Sequence, residues 1–546
     1  MYERWFKQAV IYCLDVDTFQ DSDDDGVGDL PGLITRLDYL SRLGVTCLWL
    51  NPIHPSPNRD DGYDITDFYG VHPALGSLGD FVELIHQADN RGLRVIMDLV
   101  VNHTSDEHPW FRSARSSPES PYRDWYVWSA DQPSDIHQGM VFPGYQDTTW
   151  TWDEEAEAWY YHRFFDFQPD LNMANPAVRA EIDKIIAFWL ELGVSGFRLD
   201  AAPFIIELTT PNDPNPRKDF DWLTRFRERL SWRRGDAVIL AEANVEREEL
   251  LEYFGDGHRL PMLFNFMLNQ RTFLALAREE AAPLVQGLAE TPSIPDTCQW
   301  ATFLRNHDEV DLGRLVGHEH QEVLAAFGPE PEMQLYDRGI RRRLAPMLGN
   351  DRRRYEMSFA LQLTLPGTPV IRYGDEIGMG DDLSLPERDA LRTPMQWSDA
   401  PNGGFSSAPP DQLRRPVISG ADYGYETVNV VAQQADPESL LTWFEQALRV
   451  LRECPEFGVG KPSYIDTGVR SVLAVMHDAP GGTVVAITNL AKKACTVDVG
   501  PQPQQEGPVR EVFADRAYDP PADDLSGLAL GPFGYRWLRL RETIGR

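Results

Sequence analysis

Residues Arg94–Val101 read RVIMDLVV, an apolar run broken by one acid, Asp98. A strand wetted on one face alternates polar and apolar residues. This one does not, so it is read as a strand covered on both faces, as in a parallel sheet. Working back, Leu78–Arg91 carries helical spacing, Thr46–Leu50 is a short apolar strand, Leu33–Leu43 a helix and Ala9–Phe19 a strand. Working forward, Pro176–Gly193 is helical, Gly196–Asp200 a strand and Phe220–Arg234 a helix. Strands follow at Ala237–Ala243, Pro261–Phe266, Trp300–His307 and Thr368–Tyr373. Eight strand segments interleaved with helices predict an α/β fold, a (β/α)8 (TIM) barrel.

Two regions break that rhythm. Residues 102–175 are rich in Ser, Pro, Asp, Trp and Tyr and too long for an ordinary strand-to-helix loop, which predicts an inserted subdomain after the third strand. Beyond about residue 455 helical spacing stops. Ser471–His477, Thr483–Leu490, Ala494–Val499, Val509–Phe513 and Tyr535–Leu540 read as strands of a C-terminal antiparallel β-sandwich. The expected division is barrel 1–101 and 176–454, insert 102–175 and β domain 455–546.

Across 546 residues, 85 acids against 51 Lys and Arg give a net charge of −34. Nucleic acid and anionic membrane surfaces need a positive footprint, so neither is expected as a partner. With 42% hydrophobic residues and 15 Trp, 19 Tyr and 26 Phe, there is material for several cores. Cysteines 13, 47, 298, 454 and 495 are odd in number and scattered, which argues against a disulfide framework and for a reducing compartment. The stretch MYERWFKQAVIY shows no leader pattern, and no window approaches 18 apolar residues. The expectation is a soluble, cytoplasmic protein, compatible with a homo-oligomer.

In such a barrel, residues at the carboxyl ends of strands face the active-site mouth. GVSGFRLD ends in Asp200, AVILAEA contains Glu242, and WATFLRNHD ends in Asp308. An acid after a strand also serves as a helix cap, but three at three strand ends propose a nucleophile, a general acid/base and a substrate holder. Arg198 shares a face with Asp200 two residues later, and would keep it ionised. Glu242 follows VILA, whose apolar surroundings would raise its pKa as a general acid requires. His103 and His307 offer neutral donors for hydroxyl groups.

DLVVNH (Asp98 to His103), QPDLN (Gln168 to Asn172), GFRLD (Gly196 to Asp200), AEAN (Ala241 to Asn244) and RNHDE (Arg305 to Glu309) stand in this order. Together they resemble five sequence regions of the α-amylase family, glycoside hydrolase family 13, and the resemblance covers essentially the whole chain. QPDLN is similar to the branch with oligo-1,6-glucosidases and trehalose synthases, which act on small α-glucosides. The resemblance implies Asp200 as nucleophile, Glu242 as acid/base and Asp308 as the acid gripping the sugar's 2- and 3-hydroxyls. Arg198, His103 and His307 become contacts to the same sugar and Tyr63 its stacking platform. Asp60 with Arg392 (in LRTPMQW) becomes the pair closing the pocket at the non-reducing end. The implied mechanism is retaining, with the two catalytic carboxyls about 5–5.5 Å apart.

Asp21-Ser-Asp23-Asp-Asp25-Gly26-Val27-Gly-Asp29 places acids at alternate positions and Gly at the sixth, the pattern of a Ca²⁺ loop. Position twelve is Gly32 rather than Glu, so it is not an EF-hand; the plain alternative is an acidic surface turn. The resemblance adds the Val27 carbonyl as ligand, and a second metal set of Asn102, Asp170 and Glu207. Both would be structural.

GIRRRLAPMLGNDRRRYEM (Gly339 to Met357), HTSDEHPWF (His103 to Phe111) and YGDEIGMGD (Tyr373 to Asp381) resemble trehalose synthases, which interconvert maltose and trehalose. Departures occur at Val245 and Glu246 after AEAN, in FNFMLNQR (Phe264 to Arg271), in VFPGYQDTTWTWD (Val141 to Asp153) and in CLDVDTF (Cys13 to Phe19). They keep an α-glucosidase, including a trehalose-cleaving hydrolase, as the alternative. Catalytically inactive relatives of this fold, which serve as binding subunits, lack the three acids and are a remote third reading.

Overall fold

A computed structural model describes residues 4–420, 422–502 and 508–542. Eight parallel strands close into a barrel: β1 (Ile11–Leu14), β2 (Cys47–Leu50), β3 (Arg94–Leu99), β4 (Gly196–Leu199), β5 (Val238–Ala241), β6 (Met262–Phe264), β7 (Gln299–Phe303) and β8 (Thr368–Arg372). Each pairs with its successor in the chain, and β8 returns to β1 with Ile11 opposite Val370.

The unbroken apolar runs have a simple origin. Ile11, Cys13, Cys47, Trp49, Ile96, Val238 and Leu240 fill the barrel interior. Their neighbours Tyr12, Leu14, Leu48, Leu50, Met97, Leu99 and Ile239 pack outward into the larger core shared with the helices. Both faces are buried, so both parities are apolar. That parity then decides the chemistry. Even-numbered residues of β3, β4 and β5 face inward, which carries Asp98, Arg198 and, one step past the strands, Asp200 and Glu242 to the mouth.

The helices follow local rules. Ser77 and Asp80 form a capping box that starts Leu78–Asp89. Asn175 caps Pro176–Glu191, with Pro at the first turn, and Val178, Ile182, Ile185, Ile186 and Trp189 supply the buried stripe. Gly196 opens β4 at φ +147°, and a Cβ there would meet the Val238 carbonyl oxygen at 2.0 Å. Gly196→Ala is therefore expected to destabilise by about 3 kcal/mol or more, since backbone rather than a flexible side chain must yield. Urea unfolding measures this; a loss under 1 kcal/mol would refute the close approach.

Between β3 and Pro176 lies a three-stranded antiparallel sheet of Trp128–Ser129, Ala158–Tyr161 and Trp150–Asp153. Isolated bridges from His103 to Asp170 and Tyr126 to Leu171 tie it to the barrel. At the carboxyl end, Lys461–Ile465, Val472–Ala479, Gly482–Asn489, Tyr535–Glu542 and Arg510–Ala514 form a five-stranded antiparallel sheet. Cys495–Val497 and Leu528–Leu530 form a two-stranded one. Val472, Ala474, Val485 and Ile487 face that ribbon, while Leu473, Val475, Val484 and Ala486 join the barrel-side core. Lys461–Ile465 and Leu528–Leu530 are additions to the sequence reading. The first is an exposed edge strand, reading KPSYI, and offers no apolar alternation to detect.

All five cysteines are free, four of them buried. Among the described residues no helix is long and apolar enough to cross a membrane.

Candidate active site

Arg198 is 1% exposed and organises the barrel mouth. Its Nη1 donates to Asp200 Oδ1 and, at 3.5 Å, to Asp98 Oδ2; its Nη2 donates to Glu242 Oε2 at 2.7 Å. One planar guanidinium thus holds the two carboxyls proposed for the chemistry. Asp98 anchors the fork from behind, accepting from Trp49 Nε1 and Tyr63 Oη at 2.5 Å each. Immediately after Asp200, Ala201 takes φ +51°, a left-handed conformation costing a β-carbon residue about 1–3 kcal/mol. The chain turns sharply there, and its Ala202 amide donates to the Glu242 carbonyl at 3.1 Å.

Asp308 faces this pair across a cavity of about 270 Å³ lined also by Asp60, Tyr63, His103, Glu242 and His307. Its carboxylate meets His307 Nε2 at 3.2 Å, Arg392 Nη2 at 3.1 Å and Arg388 Nη1 at 3.2 Å. Burial opposes ionisation of Asp308, but Arg388, His307 and Arg392 together outweigh it and hold the carboxyl well below its ordinary range. Glu242 behaves in the opposite way. Burial raises it to about 7 with help from Asp200 and Asp308, against the pull of Arg198. Glu242, held near 7, and Asp308, held ionised, divide the labour as acid/base catalysis needs. Burial also lowers His103 and His307, favouring neutral imidazoles. The Tyr63 and His307 rings stack 5.7 Å apart and form a flat floor.

One sequence expectation is corrected. Arg392 does not pair with Asp60; its Nη1 meets Asp61 Oδ2 at 2.8 Å, and Asp61 also accepts from Arg415 at 2.5 Å. Asp61 (φ 49°) and Gly62 (φ 93°) reverse the chain, so the neighbouring carboxylates diverge. Asp60 stays in the cavity, accepts from Gln168 Nε2 at 2.8 Å and is raised by burial to about 7, with Arg388 as the strongest opposing charge. Two guanidiniums line the cavity, Arg338 and Arg388; the one that acts most strongly on Asp60 is Arg388, four residues before Arg392, which the sequence reading passed over. It lies over the rings of Phe142 (5.0 Å) and Tyr336 (5.2 Å), which pack side by side at 4.7 Å, and also meets Glu309 at 3.1 Å. Phe142 comes from the inserted segment and Tyr336 from a turn between β7 and β8, so three distant parts of the chain fix this cation.

A model of the alpha-amylase catalytic domain matches residues 13–327 and 339–457. The chain belongs to the α-amylase family. Trehalose synthase of Thermus thermophilus is 43% identical over 543 residues, 99% of this chain and 56% of that protein. The chain thus spans little more than half of that relative. Trehalose synthase/amylase TreS of Mycolicibacterium smegmatis is 43% identical over 99% of this chain and 93% of its own length. Among solved structures, the alpha-amylase from H. orenii superposes with a TM-score of 0.79 at 28% identity, covering 98% of this chain and all of that one. Trehalose-6-phosphate hydrolase of Bacillus licheniformis gives 0.79 at 25% identity, covering 99% and 100%.

For this α-amylase family chain two of the four departures reach the same cavity, Val141 and Phe142 from one and Phe266 from another, and Asn244 of the AEAN stretch lines it beside them. Asn244 donates to Asp311 at 3.0 Å and accepts from Arg314 at 2.6 Å, so that wall is a polar network.

The acidic loop has the donor chemistry of a Ca²⁺ site. One carboxylate oxygen each from Asp21, Asp23 and Asp29 lies within 4.8 Å of the others, a convergence of like charge suited to a hard divalent cation. Gly26 (φ +92°) makes the turn where a Cβ would strike the Gln412 carbonyl oxygen at 2.3 Å. Asp25 stands outside the convergent group; backbone amides donate to its carboxylate (Val27, 2.8 Å) and equally to those of Asp21 (Gly26, 2.8 Å) and Asp29 (Gly32, 2.6 Å). In the second set, Asn102 hydrogen-bonds Asp170, but Arg163 binds both acids: its amide donates to Asp170 at 2.9 Å and its guanidinium meets Glu207 at 2.5 Å. That cation already supplies the positive charge a metal would bring, so the second set fits a metal poorly.

Proposed function

We propose that the chain is a retaining glucosyl-transferring enzyme of trehalose synthase type, acting on a small α-linked glucose disaccharide. The observation that carries it is the shared Arg198 fork, with Asp200 and Glu242 on one guanidinium and Asp308 opposite. Relatives called trehalose synthase, 40–43% identical over essentially the whole chain, support the substrate class.

In this reading Asp200 attacks the anomeric carbon while the protonated Glu242 gives its proton to the glycosidic oxygen. A glucosyl–Asp200 ester and one free glucose result. The glucose turns within the cavity and its anomeric hydroxyl attacks the ester, giving its proton back to Glu242. Asp308 and His307 grip ring hydroxyls, and Asp60 with Arg388 closes the far end. Water attacking the same ester would give hydrolysis, the activity in the second half of the name trehalose synthase/amylase.

Incubation with maltose and trehalose separately decides the matter. Interconversion with little free glucose is expected from each. Glucose alone from both would leave a hydrolase of the same mechanism.

The same proposal gives the Asp21–Asp29 loop a structural Ca²⁺, held by Asp21, Asp23 and Asp29, which screens their repulsion and takes no part in the chemistry. Excess chelator is expected to lower the Tm by several degrees, as loss of a ligand bound only by the folded state should. An unchanged melt would argue against a bound ion.

A further inference from the structure

The barrel's N-terminal face, opposite the mouth, carries a cleft of about 380 Å³ near the starts of β1, β2, β3 and β8. Helix Leu440–Glu453 and the residues after it form its other side. Its walls contain three cations, Lys7, Arg94 and Arg452, and no carboxylate. An adjoining groove shares Trp5, Lys7 and Gln8 and adds Arg4 and Lys461 against Asp296 and Asp478. In a chain with 85 acids and 51 bases, an acid-free wall with three cations runs against the composition.

Arg94 has its own structural reasons: it meets Asp236 at 2.7 Å and lies 4.7 Å over the Trp5 ring. Lys7 and Arg452 do not. Among the described residues the side chain of neither has a hydrogen bond or ion pair. Burial and the charge of Arg4 push the Lys7 ammonium below its ordinary value, with Asp296 only partly offsetting them. Lys7 is half-buried and Arg452 exposed in the lining of one concavity, so both cationic ends can meet a molecule that enters it. Trp5 and Phe457 add flat apolar surface beside them, and the volume falls in the range of small-molecule sites.

We propose that this cleft binds a phosphate-bearing small molecule, its phosphate held between Lys7 and Arg452 with Arg94 completing the positive wall. A dianion answers two unpaired cations at once, and the guanidinium offers phosphate a two-pronged contact.

Calorimetric titration at constant ionic strength tests this with inorganic phosphate, glucose 6-phosphate and ATP, and with adenosine as the phosphate-free comparison. Saturable binding of at least one phosphate compound, and none of adenosine, is expected. The double variant Lys7→Gln, Arg452→Gln keeps both stems and should weaken that binding at least about tenfold. Its maltose turnover, unchanged, reports an intact fold. Arg452→Glu alone should weaken it further than Arg452→Gln. No saturable binding by any phosphate compound would overturn the proposal, as would binding undiminished in the double variant, since the ligand would then sit elsewhere. Equal affinity for all three phosphates would show that the phosphate alone is read; preference for one would identify the rest of the ligand.

Discussion

Asp200→Ala is expected to lower turnover of maltose by about four to six orders of magnitude, because no other group can form the glycosyl ester at the anomeric carbon. The loss should fall on kcat, with the fold intact. Arg198 keeps Glu242 at 2.7 Å and Asp98 at 3.5 Å when Asp200 is gone, so no buried guanidinium is left unpaired. A Tm within a few degrees of the parent, beside a rate reduced at least ten-thousandfold, is the outcome sought. Turnover retained within tenfold would remove Asp200 as nucleophile and the mechanism with it.

Glu242→Gln should reduce disaccharide turnover by about 10²- to 10⁴-fold, the usual worth of a positioned proton donor. The pH profile is the sharper readout. Because burial raises the Glu242 carboxyl to about 7, it is protonated below that pH and ionised above it. Only the protonated form can assist departure of the glycosidic oxygen, so kcat/KM should fall about tenfold per unit above pH 7. The amide of the Gln variant does not titrate, and that alkaline limb should vanish. A 4-nitrophenyl α-glucoside, whose leaving group needs no proton, should lose far less than maltose in its glycosylation step. An identical alkaline limb in the variant would assign the proton to another residue.

Much of this was legible in the sequence for a physical reason: inside a parallel barrel, strand parity decides which side chains reach the mouth. GFRLD therefore announces Arg198 and Asp200 together, and VILAE announces Glu242, without knowledge of loops. What parity does not reach was read less well. Arg388 and Arg392 sit one helical turn apart in a segment without regular strand structure, and only the packing of Phe142 and Tyr336 selects the first for the cavity. Asp60 and Asp61 differ by one residue and by the direction of a tight turn, which sets Asp61 on Arg392 and Arg415 instead. Asp25 looked equivalent to its neighbours in an alternating acidic pattern, yet its carboxylate stands apart from the three that converge. Each miss concerns a loop whose shape is fixed by distant contacts.

Closure of the barrel also has a consequence in time. The seam pairs β1 with β8, and Arg372, the last residue of β8, lies 359 residues beyond its β1 partner Cys13. During synthesis β1 finds β2 early, but its other edge waits for nearly the whole catalytic region to be made. At ordinary elongation rates that interval is roughly 20 to 70 s. For all of it an apolar strand edge, and Asp15 without its Arg372 counter-charge, stand open to any neighbouring nascent chain. The ion pair that seals the seam thus cannot form until that stretch has been made, and expression conditions that slow the ribosome should punish this protein through aggregation long before they touch its chemistry.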